Sequence, residues 1–227
     1  WVWCARRGAT ATHAAGGAVM VVTVGAPSSA PTEATPLHAA TKAGDLDAAK
    51  ALLGTSEGKQ MIDVQDMLGN SPLHLAARQK YQDLASPARN EIVKLLIAAG
   101  ANIELVDQFN CTPIHLAVMS ANPDGGAVEA LANAGARLDV MDTAYGNTPL
   151  HYGGLVGMPR PMFHMLQHSD GRLRETAKVA IAMQNRSGDL ALDLAQKKRT
   201  DEVGSQKDNI KVIRSFQRLV GLKAKKA

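Results

Sequence analysis

Apolar and polar residues alternate along this chain with a helical period, in short stretches that come in pairs. In "NEIVKLLIAAGA", from Asn90, the apolar positions recur at the spacing of one helix face, as they do in "DAAKALL" from Asp47 and "AVEALANAGA" from Ala127. Each is predicted to be a helix, with Gly100 or Gly135 ending it as a left-handed cap. Ahead of each stands a second kind of helix start. Thr35, Ser71, Thr112 and Thr148 are placed as hydroxyl N-caps, each followed by a proline at the first helical position, where its missing N–H costs nothing. Small residues then fall on the inner face, such as Ala76 and Ala77 or Gly153 and Gly154, where a neighbouring helix can approach closely. Turns are marked by Asp66 and Gly69, and by Asp107 and Asn110, since Gly or Asn suits a turn that needs positive φ. Near the C-terminus, "DNIKVIRSFQRLVGLKAKKA" reads as an amphipathic helix. Ile210, Ile213, Phe216 and Leu219 or Val220 form its apolar stripe, and Lys211, Arg214 and Arg218 face away.

The helix starts are copies of one phrase. "ATPLHAAT", "GNSPLHLAAR", "NCTPIHLAV" and "GNTPLHYGG" place Pro36, Pro72, Pro113 and Pro149 at steps of 36, 41 and 36 residues. "SGDLALDLAQ" is a degraded fifth copy with Ala191 in the proline's place, 42 residues on. Self-similarity at such a period means stacked helical units, each one covering its neighbour's apolar face. The phrase and "NEIVKLLIAAGANIE" resemble the ankyrin repeat, over residues 34 to about 222. That resemblance implies an all-α fold, an α-solenoid of about five antiparallel helix pairs with projecting β-hairpin-like loops. The expected units run approximately 34–66, 67–107, 108–143, 144–185 and a cap at 186–222, with a flexible segment at 1–33 and a basic tail at 223–227. The 41-residue step exceeds the family's period of about 33, and the excess falls in "KYQDLASPAR". An insertion around "HSDGRLRETAKVAIAM" is expected to lengthen one hairpin or add a short helix. Leu190, Ala191 and Asp193 replace Thr, Pro and His in the last copy, as suits a terminal unit that faces water. The basic amphipathic helix beyond it is expected to cap the stack.

Composition changes this picture little. Aromatics are 4% of a chain that is 45% hydrophobic, which suits thin helices packed closely on one another. The net charge of +4 is unevenly spread: residues 35–195 carry −4 and residues 196–227 carry +7. A mildly acidic body argues against direct nucleic-acid binding. No run reaches the roughly 18 apolar residues of a membrane span. Two cysteines, Cys4 and Cys111, make no disulfide framework, so a reducing, intracellular setting is expected, cytoplasmic or nuclear. "ARRGATATHAAGGAV" weakly resembles a transit segment, which would make the location organellar. A translation start at Met20 would instead make the preceding stretch non-native.

Four histidines in matched settings, His38, His74, His115 and His151, raise the question of metal or base chemistry. They lie a whole repeat apart, too far to share one metal with bonds of about 2 Å. The ankyrin resemblance implies instead that each hydrogen-bonds across its turn and to the neighbouring repeat. Neutral imidazole, with one donor and one acceptor, suits that role. His164 and His168 are four apart on one predicted helix face, but no further zinc ligand accompanies them. Cys111 has no evident histidine partner and is not expected to be a nucleophile. The chain is therefore read as a non-enzymatic protein without metal or cofactor.

Recognition of a protein or peptide partner remains, and the resemblance implies where it occurs. Carried over from the family, the hairpin tips present Met67, Leu68, Gln108, Phe109 and Tyr145. The first helices add Lys42, Arg78, Gln79, Met119, Ser120, Leu155 and Val156, and together these line a concave groove. Phe109 and Tyr145 are two of only eight aromatics, and Met, aromatic and Arg side chains are enriched at interface cores. The expectation is a scaffold or adaptor. A structural subunit of a large assembly, and a regulatory fragment of a larger enzyme, stay open as alternatives.

Overall fold

A computed structural model describes residues 34–78, 87–120, 125–157, 159–167, 174–197, 210–211 and 214. The N-terminal segment 1–33, Gln79, His168, the C-terminal tail and most of the amphipathic C-terminal stretch lie outside these residues. The helices run in the order α1 (Pro36–Ala43), α2 (Leu46–Leu53), α3 (Ser56–Gln60), α4 (Pro72–Ala77) and α5 (Pro87–Ala98). They continue as α6 (Pro113–Met119), α7 (Gly126–Asn133), α8 (Pro149–Val156), α9 (Pro159–Leu166), α10 (Glu175–Ala182) and α11 (Ala191–Lys197). Two layers result. The first helices α1, α4, α6, α8 and α11 stack each on the next, and the second helices α2, α5, α7 and α9 do the same behind them.

The expected starts hold because their chemistry is local. Pro36, Pro72, Pro113 and Pro149 each open a helix, behind Thr35, Ser71, Thr112 and Thr148 in extended conformation. The second helices begin earlier than the apolar pattern suggested. Asp45, not Asp47, caps α2 by accepting the Ala48 N–H at 2.9 Å, and α5 opens at Pro87, ahead of Asn90. Two short helices lie outside the pairs. Thr55 caps α3, and the insertion after residue 167 supplies α10, so an added helix is the form it takes.

The core is a repeating contact. Leu37, Leu73, Ile114 and Leu150, each one residue after the proline, are fully or almost fully buried, in one core cluster with Ile92, Leu96, Leu131 and Met162 of the second layer. Burying each such side chain stabilises by about 1.5–3 kcal/mol. Buried arginines tie one unit's helix end to the next unit. Arg89 donates to the carbonyl of Lys42 at 2.9 Å, at the end of α1. Arg174 donates to the Ala132 carbonyl at the end of α7 and to the His164 carbonyl at 3.2 Å. Cations are favoured at helix C-termini, where unpaired carbonyls collect. Of the C-terminal stretch, Ile210 packs against the core, while Lys211 and Arg214 are exposed, as the stripe predicts.

Candidate partner-binding surface

Between units the chain makes tight turns, called tips here, and each is built around one acidic or amide side chain. Asp66 Oδ1 accepts the Leu68 and Asn70 N–H groups, both at 2.8 Å. Asp107 does the same for Phe109 and Cys111, at 2.8 and 2.9 Å. Asp142 takes Ala144 and Tyr145, and Asn185 takes Ser187 and Asp189. Backbone pairs close the hairpin-like turns, Asp66 N–H to the Asn70 carbonyl for instance at 2.9 Å, without an extended strand in any of them. Gly69 (φ 78°) and Asn110 (φ 59°) take the left-handed position the turn demands. A Cβ at Gly69 would stand 2.9 Å from the Gln108 nitrogen, so only glycine lets the next tip come this close.

The tips are joined into one row. The Gln108 N–H donates to the Leu68 carbonyl (3.0 Å), Thr143 to Phe109 (2.8 Å) and Arg186 to Tyr145 (2.9 Å). Along this row Met67 is 75% exposed, Leu68 and Phe109 are 50%, and Tyr145 is 65%; Gln108 is exposed between them. The remaining site candidates form a second row, at the far ends of the first helices. Lys42, Arg78 and Met119 are exposed there, Ser120, Leu155 and Val156 half-buried. Ser120 is committed inward, its hydroxyl donating to the carbonyls of Leu116 (2.6 Å) and Ala77 (3.3 Å). A helix of six to eight residues separates the rows by about 9–12 Å. One member of the tip row escaped the sequence reading. Arg186 and Ser187 stand exposed on a fourth tip, and Asn185 and Gly188, three apart like Asp66 and Gly69, were the signal for it.

The histidines sit between tips and helices. Nδ1 accepts the cap residue's own N–H, at 3.1 Å for His38, His74 and His115 and 3.2 Å for His151. The proton must then be on Nε2, which donates to the next unit: to the Asn70 carbonyl at 3.0 Å, Cys111 at 3.0 Å, Val140 at 3.1 Å and Asp189 at 2.9 Å. Burial pushes His74 and His115 down to about 4, against the raising effect of the carbonyls they bond, and lowers His151 as well. These rings stay neutral and serve as joints. In the last copy the Leu190 N–H goes to Asp193 Oδ2 at 3.0 Å. The carboxylate replaces Nδ1 as acceptor and has no second nitrogen to reach onward.

Other candidates separate from this surface. Burial raises the Cys111 thiol to about 12, so it holds no thiolate at neutral pH. His164 stands 3.9 Å from Glu129 on the second layer. Among the described residues no three of His, Cys, Asp and Glu gather as metal ligands, and no helix is long and apolar enough to cross a membrane.

Hydroxyl–proline helix starts, histidine joints and a row of bonded tips define a protein of stacked helical repeats. The chain belongs to the ankyrin-repeat family: the family model "Ankyrin repeats (3 copies)" matches residues 13–87 and 84–157. Ankyrin repeats generally mediate protein–protein interaction, and such domains are typically non-enzymatic. Among curated relatives, the chain is 31% identical over 104 residues to a transient receptor potential cation channel subfamily A member 1 homolog of Caenorhabditis elegans, covering 39% of this chain and 8% of that protein. It is 35% identical over 108 residues to the putative palmitoyltransferase ZDHHC13 of Danio rerio (47% and 15%). It is 28% identical over 136 residues to the B-cell lymphoma 3 protein homolog of Mus musculus (59% and 28%). The chain thus spans less than a third of the length of each of these relatives.

Proposed function

We propose that this chain is a non-enzymatic scaffold or adaptor that holds a protein or peptide partner across its two rows. The observation that carries this reading is the run of exposed apolar side chains on consecutive tips, Met67, Leu68, Phe109 and Tyr145. Contiguous exposed apolar surface marks interaction sites on soluble proteins. Its neighbours on the second row, Lys42, Arg78 and Met119, supply a mixed rim. Replacing Phe109 and Tyr145 together with alanine tests this. Partners captured by the intact chain in proximity labelling are expected to be lost, since single truncations at an interface centre often cost 2 kcal/mol or more. The unfolding free energy is expected to stay within about 0.5 kcal/mol of wild type, because the side chains removed are surface ones. Early unfolding, or capture of the same partners at wild-type affinity, would make these tips packing residues.

A second reading has its own support. The relatives with channel and palmitoyltransferase names match this chain over only 8% and 15% of their lengths. The chain is on that reading the ankyrin part of a longer polypeptide, whose interaction surface serves another domain. A full-length transcript encoding no further domain would remove it.

A further inference from the structure

The third tip is longer than the others and is held differently. Its closing bond, from the Asp142 N–H to the Asn147 carbonyl at 2.9 Å, spans one residue more than Asp66–Asn70, Asp107–Cys111 or Asn185–Asp189. In those shorter tips one side-chain oxygen takes both inner N–H groups. At the third tip the donors are divided between two oxygens. Asp142 Oδ1 takes Ala144 (2.7 Å) and Tyr145 (2.6 Å), and the Asn147 N–H turns to Oδ2 at a longer 3.2 Å. That second oxygen receives one further donor, the Tyr152 hydroxyl, at 2.8 Å.

Tyr152 follows the joint histidine directly, where the other copies carry Ala39, Leu75, Leu116 and Leu194. A phenol is the one side chain among these that reaches a carboxylate while keeping an apolar body in the helix layer. Its ring lies edge-on to His115, centroids 6.2 Å apart, so the preceding joint braces it. Within the same tip, Asn147 Oδ1 accepts from Asn185, the organiser of the fourth tip, at 3.0 Å. The longer tip and the phenol occur in the same unit, and the phenol meets the oxygen that the longer tip leaves less well filled.

We propose that Tyr152 is a positioning residue, whose hydroxyl holds Asp142 in the orientation that shapes the six-residue tip and presents Tyr145 outward. The consequence for a partner rests on the reading of Tyr145 as a contact; the positioning itself does not. The test is amide hydrogen exchange by NMR on the full chain, comparing wild type with Tyr152→Phe, which keeps the ring on His115 and removes only the hydroxyl. Loss of one hydrogen bond to a charged group predicts roughly tenfold faster exchange at Ala144 and Tyr145, with Phe109 and Cys111 in the second tip unchanged. Exchange unchanged at the third tip, or accelerated equally at both, overturns the proposal. If Tyr152→Phe does not fold, the wild-type protein decides. A Tyr152 hydroxyl proton that exchanges far more slowly than that of exposed Tyr145 supports it, and equal rates overturn it. No partner enters either readout, so failure here leaves the two-row surface standing, and failure of the alanine test leaves Tyr152 in its role.

Discussion

In each of the first four units one imidazole closes its own helix start and reaches the next unit, so both of its nitrogens are engaged. Replacing His115 with alanine orphans the Thr112 N–H and the Val140 carbonyl in a buried setting. The expected cost is about 1–3 kcal/mol in urea unfolding. His164→Ala is the control; its long ion pair with Glu129 is partly exposed and worth well under 1 kcal/mol. Equal losses for the two variants would remove the joint role. The repeated Thr/Ser-Pro-x-His phrase made these four positions legible, because the cap and its acceptor are three residues apart and need no distant partner. What each Nε2 bonds was not legible. His38, His74 and His151 reach the residue just before the next helix's cap position, whereas His115 reaches Val140, two residues before Asp142.

Adjacent glycines on α8 show how packing reverses helix propensity. Glycine inside a helix costs roughly 0.5–1 kcal/mol relative to alanine. A Cβ at Gly153 would meet the Met162 methyl at 2.6 Å and the Met165 methyl at 3.0 Å, both the far ends of flexible side chains and neither of them backbone. Gly153→Ala is therefore expected to be neutral or to stabilise by up to about 1 kcal/mol. At Gly154 the Cβ would stand 2.4 Å from the Ala191 carbonyl oxygen, which is backbone of α11. Gly154→Ala must push the last first-layer helix away, at a cost of about 1–3 kcal/mol. Thermal melts of both variants check the pair, and shifts of the same sign would refute the packing argument. Small residues at both positions were readable as an inner face. Which of them touches backbone is set by a helix 37 residues further on, and no local pattern carries that.

Two of the joints, His74 and His115, titrate in the same sense, so their effects on stability add. In the unfolded chain a histidine takes its proton near 6.5, whereas folded His74 and His115 resist until about 4. Their contribution to stability is complete above pH 6.5 and is lost as the pH falls toward 4, at roughly 1.4 kcal/mol per unit for each histidine. Unfolding free energy is thus expected to drop by roughly 2 kcal/mol for each of His74 and His115 between pH 7 and pH 5. Burial raises the Glu104 carboxyl, and its protonation works in the opposite sense, but it is one half-buried group. Urea titrations at the two pH values measure the slope; a flat result would mean the rings are already charged or open to water. The repeat period, the starts of the first helices and the left-handed turn positions could be read from the linear chain, and the histidine joints from the family resemblance. Each depends on contacts within a few residues, or on a pattern copied often enough to see. The bonded row of tips, the Tyr152–Asp142 contact, the arginine ties and the split of the candidate surface into two rows could not. They join residues of different units, at separations fixed by how helices of unequal length stack, and that stacking exists only once the chain has folded.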